Sequence, residues 1–546
     1  MTLPVVPAPA RCLGGAAALE IRAGLAVTAG GPGLASVVRR FVEDVRLDCG
    51  IALEVVETTG AGPAVTVELG FHELDSVPAA GGVRADGAVP DGADERHGIR
   101  ITPGGVRVWG ATAEAAYRGL TTLRQLISAA ADDGAATLPT ATILDGPRFA
   151  WRGLSLDVAR TFHGPEQVRR VIDMCSLFKL NVLHLHLTDD QGWRIEIPSR
   201  PALTTIGGTG AMAGRPGGWY SQADLAELVA YAGARFVTLV PEIDMPGHTG
   251  AVFRSYPQLA PTGATVGEVA PGLALGTLDP HQQETWAFVE DVLDGVIAQF
   301  PQSAYVHIGG DEAFGMPDAD HAAFIERVAA LVKARGRRVV GWQEIARASL
   351  RGDELVQYWM EPAAAAAMVD DEALRAMVPQ DLLPLLAENL AKAEHDVPRA
   401  LGMGARLLIS PVSRLYFDSP QGDGPIDSSQ AQLRAQVGLP VYPAMSLRHG
   451  VEWDPVQDTP GVTGDEQIAG VEAAIWCETI PTGDALEFLL LPRLGGLAEK
   501  AWARPAVTEW TDYAARLAPQ PKAWAARGWT WFAADSVPWT TGTVTG

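Results

Sequence analysis

Cysteine is scarce in this chain, and long apolar runs are missing. The four cysteines (Cys12, Cys49, Cys175 and Cys477) stand far apart and without CxxC spacing. This spacing predicts buried thiols and argues against a disulfide framework or a cysteine zinc site. No apolar run reaches the roughly 20 residues that a membrane-spanning helix needs, which argues against an integral membrane protein.

A secretory signal is not visible either. Residues 1–7 lack the basic region followed by an apolar core that marks a signal peptide. We therefore expect a cytoplasmic protein, although the mature form of a secreted protein would look the same.

Positive charge is in deficit, with 42 Lys and Arg against 65 Asp and Glu and a formal net charge of −23. This excess of negative charge argues against nucleic acid, anionic membrane surfaces and polyanionic substrates as partners. A small neutral ligand fits better. With 546 residues and 47% hydrophobic content, the chain can form one large domain plus a smaller one, while the oligomeric state stays open.

Residues 1–145 predict a small N-terminal α/β domain. The segment 65–69 alternates like a half-buried strand, and 99–102 and 106–109 flank a Pro-Gly-Gly turn as in a hairpin. A helix is predicted over 112–131, with apolar residues on one face. The Gly-, Ala- and Asp-rich stretch 79–94 is predicted to be loop.

From residue 146 onward, short apolar strands alternate with amphipathic helices, which predicts a (β/α)₈ barrel over 146–546. The predicted strands are 153–158, 181–187, 236–243, 305–308, 338–342, 355–359, 406–410 and 471–476. Between them we expect helices near 165–178, 221–232 and 281–300. Two insertions are expected, a helical one over 363–400 after strand six and a polar loop over 419–438 after strand seven.

Every predicted strand carries a polar or aromatic residue at its C-terminal end, where barrel enzymes hold their chemistry. In strand order these are Asp157 and Arg160; His186, Asp189 and Asp190; Glu242 to His248; Asp311 and Glu312; Trp342; Trp359; Tyr416 and Asp418; and Trp476 and Glu478. A single acid could cap a helix and a single tryptophan could fill core, but eight sets in step with strand ends predict a site.

The fourth strand leads into Gly309, Gly310, Asp311 and Glu312. The two glycines predict a turn that presents the acids at the strand tip. Neighbouring side chains on extended backbone point in opposite directions, so we expect Asp311 and Glu312 to perform different tasks.

Tryptophans beside carboxylates and an arginine suit a sugar ligand, because a sugar ring has apolar C–H faces as well as hydroxyls. Carboxylates can also supply the acid and base for glycoside cleavage. A metal-dependent hydrolase is the rival, prompted by His184 and His186 on strand two. Such a site needs further histidines on later strands, which end in aromatic residues here. We therefore expect no metal and no cofactor, and both histidines as hydrogen-bonded barrel interior.

Five motifs resemble glycoside hydrolase family 20, the β-N-acetylhexosaminidases. They are residues 151–160, 184–194, 241–248, 307–312 and 470–478. The resemblance runs from about Asp145 to Trp502, and the preceding segment resembles the small α/β domain usual before that barrel. It implies a retaining exo-enzyme that removes terminal β-linked GlcNAc or GalNAc from a small glycan.

The resemblance also implies substrate-assisted cleavage. Glu312 would be the general acid and then the base, and the sugar's own 2-acetamido oxygen would attack the anomeric carbon to give an oxazolinium intermediate. Asp311 would orient the acetamido N–H, and Tyr416 would hydrogen-bond its oxygen. The adjacency of the acids agrees, because an acid–nucleophile pair lies about 5 Å apart across the sugar.

The remaining roles implied by the resemblance are supporting ones. Asp189 and His248 would support the acid; Arg160, Asp418 and Glu478 would grip sugar hydroxyls; and Trp342, Trp359 and Trp476 would wall the pocket.

Two positions depart from the family pattern. Val441 or Tyr442 stands where many relatives carry a further loop tryptophan, and the Arg-His after strand one is Arg160-Thr161 here. The rival of another class is a catalytically silent sugar-binding protein on the same barrel. The presence of Asp311, Glu312 and Tyr416 favours the enzyme, because binding alone does not require the acid.

Overall fold

The computed structural model describes residues 3–60, 62–88, 93–261, 267–270, 273–380, 382–504 and 508–540. Within these residues the chain forms an N-terminal sheet with two helices, followed by a closed parallel barrel. None of the helices in this described part is both long and apolar enough to cross a bilayer.

The N-terminal sheet has the strand order β1-β8-β5-β6-β4-β2-β3, with β7 paired to β8. Its elements are β1 (Arg11–Arg22), β2 (Ala26–Gly30), α1 (Leu34–Cys49), β3 (Glu54–Val55), β4 (Ala64–Leu69), β5 (His97–Thr102), β6 (Gly105–Gly110), α2 (Ala113–Ala130), β7 (Ala131–Asp132) and β8 (Ala135–Asp145). Both helices pack their apolar faces on the sheet. The predicted hairpin is confirmed, because β5 and β6 pair antiparallel.

Helix α2 begins and packs as its sequence predicts. Thr112 caps its N-terminus, with its side chain accepting a hydrogen bond from the backbone N–H of Ala115. Leu120, Leu123 and Ile127 lie on its buried face, as their spacing of three and four residues requires.

Eight parallel strands of the described chain close into a barrel, and β12 pairs antiparallel with β13 outside it. In chain order the barrel strands are β9 (Trp151–Asp157), β10 (Val182–His186), β11 (Thr238–Glu242), β14 (Tyr305–His307), β15 (Arg338–Trp342), β16 (Leu355–Tyr358), β17 (Arg406–Ile409) and β18 (Ile468–Ile475). The separate pair is β12 (Gly267–Ala270) and β13 (Leu273–Leu275). The predicted (β/α)₈ class with a preceding α/β sheet is confirmed.

Helices surround the barrel and fill its connections. They are α3 (Pro165–Leu177), α4 (Ala202–Thr205), α5 (Gln222–Gly233), α6 (Gly250–Ser255), α7 (Gln283–Gln299), α8 (Asp318–Ala334), α9 (Pro362–Asp370), α10 (Glu372–Met377), α11 (Leu383–Gly402), α12 (Val412–Leu415), α13 (Ala431–Gln436), α14 (Gly483–Leu490), α15 (Arg493–Trp502), α16 (Trp510–Leu517) and α17 (Pro521–Ala526). Three helices, α9, α10 and α11, follow β16 where the sequence predicts a helical insertion.

Two connections differ from the prediction. Between β15 and β16 the described chain forms only a 3₁₀ segment, Gln343–Arg347, so the expectation of a helix between these two strands is wrong. The connection 343–354 has about a dozen residues, which is the shortest length that usually holds a crossover helix. The polar loop 419–438 is not all loop, because it contains α13.

The barrel interior is layered. At the N-terminal ends of the strands it is apolar, with Val182, Val240, Val340 and Leu355 among the side chains that fill it. The layer above is polar and supports the site at the C-terminal ends.

Buried ion pairs connect the N-terminal sheet with the barrel. Glu95 accepts hydrogen bonds from both terminal nitrogens of Arg152, at 2.9 Å and 2.6 Å. Lys179 Nζ lies 2.9 Å from Asp145 Oδ2, with both side chains fully buried. Because an unpaired buried charge is costly, each pair fixes the position of one part against the other.

Candidate active site

The turn after β14 positions the two acids that the sequence singles out. Gly309 and Gly310 have φ angles of 67° and 100°, which residues with a side chain rarely adopt. A Cβ at Gly309 would lie 1.6 Å from Asp244 Oδ1, so only glycine fits. Glu312 also has a positive φ, of 45°, a strained conformation for a non-glycine residue that is found preferentially at functional sites.

Asp311 and Glu312 contact the same imidazole. His248 Nε2 lies 3.7 Å from Asp311 Oδ2 and 3.6 Å from Glu312 Oε2. The sequence argument assumed extended backbone at these residues, and that assumption is wrong, because the positive φ angles of the turn curl the chain. What distinguishes the two acids is their surroundings.

Glu312 faces the cavity, with 30% of its side chain exposed against 12% for Asp311. Burial at the barrel mouth raises the pKa of Glu312 to about 7; His248 opposes this increase and the charge of Asp311 adds to it. A carboxyl group with such a pKa can hold and release a proton at neutral pH. Glu312 therefore has the properties of a general acid and base.

Asp311 presents a free acceptor. Its Oδ1 is buried and has no hydrogen-bond partner among the residues that the structure describes. A buried acceptor without a partner costs about 1–3 kcal/mol, which a ligand N–H or O–H at that position would recover.

His248 is held by Asp189 on its other side. His248 Nδ1 lies 3.3 Å from Asp189 Oδ1, while Asp189 Oδ2 lies 2.7 Å from Arg160 Nη2 and 2.8 Å from His186 Nε2. Burial lowers the pKa of His248, but the charges of Asp189 and Asp244 raise it well above its usual value. These charges favour the protonated imidazolium, which lies within 4 Å of both acids of the turn.

Below the site, histidines surround Glu242 in the barrel interior. His186 Nδ1 lies 2.7 Å from its carboxylate, and His184 Nε2 and His307 Nδ1 each lie 3.0 Å away. His184 Nδ1 is 2.9 Å from Glu472. Burial opposes protonation of His184, but the charge of Glu242 raises its pKa to about 9. The prediction that His184 and His186 are hydrogen-bonded interior is confirmed.

Some of these side chains are of the types that bind metal ions. Within the described chain, the groups whose ligand atoms lie within 4.8 Å of one another are His184, Glu242 and His307; His186, Glu242 and Asp244; Asp189, Asp190 and His248; and Asp244, His248 and Asp311. A metal needs neutral imidazole, whereas neighbouring acids raise the pKa of His184, His186 and His248 against the effect of burial. The absence of a metal therefore stays a prediction.

Aromatic rings form one wall of the pocket. Trp359 and Tyr416 stack with ring centroids 5.9 Å apart and planes 7° apart. The ring centroid of Trp476 lies 5.6 Å from that of Trp342 and 6.0 Å from that of Tyr416. Trp342 Nε1 donates to Glu242 Oε1 at 2.8 Å, which fixes its indole. The structure thus brings together the three tryptophans that the sequence places at the ends of β15, β16 and β18.

Tyr442 belongs to the same wall. The ring centroids of Tyr442 and Tyr416 lie 5.6 Å apart, and the planes of the two rings are 89° apart. Burial raises its pKa well above the usual value, and the charges of Asp418 and Glu478 add to this. Both Val441 and Tyr442 line the cavity, and of the two only Tyr442 supplies an aromatic ring.

Three charged residues offer polar atoms without partners. Both carboxylate oxygens of Asp418, Glu478 Oε2 and Arg160 Nε are buried and lack hydrogen-bond partners within the described ranges. The Arg160 guanidinium carbon lies 5.1 Å from the ring centroid of Trp476. Burial raises the pKa of Asp418 well above its usual value, with Glu478 adding to it. Of the three residues, Glu478 also lines the cavity beside Trp359 and Tyr442.

Sequence reasoning gave no role to Asp244 or Glu344. Asp244 Oδ1 accepts from the backbone N–H of Gly310 at 3.2 Å. Glu344 Oε2 accepts from Trp359 Nε1 at 3.2 Å, and burial raises its pKa to about 8, with Arg347 opposing. The sequence signal that could have identified both residues is their position just after a strand, since Asp244 follows β11 and Glu344 follows β15.

Arg215 is a third residue to which sequence reasoning gave no role. It donates to the backbone carbonyls of Cys477 at 3.2 Å and Ile480 at 3.1 Å, and also to that of Glu478. The loop after β10 thereby fixes the loop that carries Glu478. No periodic pattern marks Arg215, since it lies in an irregular segment.

Two family models match this chain. The one described as "Glycosyl hydrolase family 20, catalytic domain" matches residues 149–317 and 388–505, and "Glycosyl hydrolase family 20, domain 2" matches residues 2–146. The β-N-acetylhexosaminidase of Cellulomonas fimi is 36% identical over 475 residues, covering 87% of each chain.

Solved structures of similar proteins cover nearly the whole fold. The Streptomyces plicatus N-acetyl-β-hexosaminidase in complex with Thio-NAglucal is 33% identical, with a TM-score of 0.81 and 98% of each chain covered. A mutant of that protein was solved in complex with its product, GlcNAc. The family 20 enzyme of Streptomyces coelicolor A3(2) is 34% identical, with a TM-score of 0.81, covering 98% of this chain and 99% of that one.

Proposed function

This chain belongs to glycosyl hydrolase family 20 and is a glycoside hydrolase with β-N-acetylhexosaminidase activity, and on that premise we propose that it is a retaining exo-enzyme using substrate-assisted catalysis. The proposed substrate is a small glycan with a terminal β-linked GlcNAc or GalNAc. A relative's complex with GlcNAc supports this substrate class.

In the first proposed step, Glu312 protonates the glycosidic oxygen while the carbonyl oxygen of the 2-acetamido group attacks the anomeric carbon. The bond from the anomeric carbon to the leaving oxygen breaks as the ring of the oxazolinium forms. Asp311 accepts the acetamido N–H and balances its growing positive charge. Tyr416 donates its hydroxyl to the acetamido oxygen. The buried, unpartnered Oδ1 of Asp311 supports this assignment.

In the second step, ionised Glu312 takes a proton from a water molecule that attacks the anomeric carbon. The bond to the acetamido oxygen breaks, the amide is restored, and Glu312 is protonated for the next cycle. A pKa of about 7 suits both directions of transfer. Two inversions at the same carbon retain its configuration.

The remaining site residues position the acids and the sugar. His248 and Asp189 hold the two acids through the contacts from the imidazole, whereas Arg160, Asp418 and Glu478 bind ring hydroxyls with the polar atoms that lack partners. The sugar ring and the acetamido group are enclosed by three tryptophans, Trp342, Trp359 and Trp476.

One observation carries this proposal: two adjacent acids, one with a pKa near 7 and one with a free acceptor atom, share an imidazole beside an aromatic pocket. The test is turnover of p-nitrophenyl N-acetyl-β-glucosaminide by the native enzyme, by Glu312→Gln and by Glu394→Gln, whose side chain is 63% exposed on α11. We expect only Glu312→Gln to lose activity. A native enzyme no faster than Glu312→Gln would leave a sugar-binding protein.

A further inference from the structure

The cavity of the candidate site has a volume of about 340 Å³ and extends toward the inserted helices α9, α10 and α11. At its inner end it is lined by Glu312, Trp359, Tyr442 and Glu478. It is therefore continuous with the proton donor of the proposed mechanism, and its size is in the range of ligand pockets.

The outer part of this cavity is apolar. The inserted helices and their connections contribute Met368, Leu374, Val378, Leu386 and Leu390, and the loop after β17 contributes 439–441. Among the described residues that line the cavity outside its inner end, Thr479 is the one with a polar side chain. A second sugar would find few partners for its hydroxyls there, whereas an apolar group would bury surface at no such cost.

The inserted helices pack against the aromatic wall of the site. Met360 and Leu390 are buried in the same cluster as Trp342, Trp359 and Tyr416. Residues 318–387, which the family model leaves unmatched, include α9 and α10 as well as the barrel strands β15 and β16. The apolar wall is thus fixed directly to the active site.

Helix α11 faces two cavities. Leu386 and Leu390 line the apolar cavity, whereas Leu385, Asn389 and Lys392 line a polar cavity that shares Glu312 and Phe314 with it. Leu385 and Leu386 are therefore a matched pair, adjacent in sequence and on different sides of the helix.

We propose that Met368, Leu374, Val378, Leu386 and Leu390 form an apolar leaving-group subsite, so that the enzyme prefers N-acetylhexosaminides whose aglycone is an alkyl or aryl group. The inference rests on the proposed function, because Glu312 must deliver its proton to the leaving oxygen. With that oxygen beside Glu312, the aglycone extends outward along Leu386 and Met368, which contact it in place of a second sugar.

The test uses methyl, butyl and hexyl N-acetyl-β-glucosaminides, whose leaving alcohols have similar acidity, so that kcat/KM reports contacts with the aglycone. A fully buried methylene group is worth about fourfold in an equilibrium, and we expect kcat/KM to rise about tenfold or more from methyl to hexyl. The hexyl glycoside should also exceed N,N'-diacetylchitobiose in kcat/KM.

Leu386→Gln and, independently, Met368→Gln should reduce the hexyl-to-methyl ratio to about threefold or less, whereas Leu385→Gln should keep the native ratio. A flat native series, a preference for the disaccharide, or an equal effect of Leu385→Gln and Leu386→Gln would overturn the subsite. Absence of any turnover by the native enzyme, including turnover of the p-nitrophenyl glycoside, would instead overturn the proposed function on which it rests.

Discussion

Replacing Glu312 by Gln should remove both the proton transfer and its pH dependence. Glutamine keeps the size and the polar contacts of the side chain but cannot donate the proton to the leaving oxygen. General acid catalysis contributes about 10²- to 10⁴-fold, so we expect a loss of that order in kcat/KM for a methyl glycoside. The loss should be smaller for the p-nitrophenyl glycoside, because p-nitrophenolate leaves with less assistance.

The elevated pKa sets the magnitude of the pH effect. With a pKa of about 7 instead of the usual 4.5, about nine-tenths of the enzyme carries the proton at about pH 6, against about 3% otherwise. The surroundings of Glu312 therefore provide about 30-fold more of the active form at that pH. Because the protonated form is active, kcat/KM should be level below the pKa and fall as the pH rises through about 7.

The assay measures kcat/KM for both glycosides from about pH 4 to about pH 9, in the native enzyme, Glu312→Gln and the exposed control Glu394→Gln. The native enzyme and the control should share the decline near pH 7, and Glu312→Gln should lack it. A native decline near pH 4.5, or a variant that keeps the native profile, would refute the assignment of the acid.

Other perturbations test separate parts of the account. Asp311→Ala should lose about 10²- to 10³-fold in kcat on acetamido sugars, and near-native kcat would contradict the role of the acetamido group. Dialysis against EDTA should leave kcat/KM unchanged, whereas inhibition that zinc restores would revive a metal site. Glu95→Gln should destabilise the fold by about 3–5 kcal/mol in urea unfolding, because it leaves Arg152 buried and unpaired. Glu73→Gln, whose pair with Arg100 is exposed, should cost less than about 1 kcal/mol, and equal effects of the two would contradict this reading.

The barrel strands could be predicted because buried parallel strands read as short apolar runs. The fifth predicted strand, 338–342, agrees with β15 at both ends. The absence of a helix between β15 and β16 was not predicted, because the connection 343–354 has about a dozen residues and is just long enough for a crossover helix. The division of the chain near residue 146 stays a prediction.

The strand-end rule identified residues that the fold brings together from distant parts of the chain, among them Asp189, Asp311 and Trp476. It could not give the curled turn at the acids, because the glycines permit several conformations. Nor could it give Arg215, whose contact with the loop of Glu478 exists only in the folded chain. The roles of the site residues remain predictions.

The central claim is that the substrate's own amide displaces the leaving group. The most direct measurement is kcat/KM for p-nitrophenyl β-glucosaminides carrying N-acetyl, N-fluoroacetyl, N-difluoroacetyl and N-trifluoroacetyl groups. Each fluorine withdraws electrons from the carbonyl oxygen, so the account predicts a steep decline along the series. Rates that do not change with fluorination would contradict it, because they would mean that the amide oxygen is not the nucleophile.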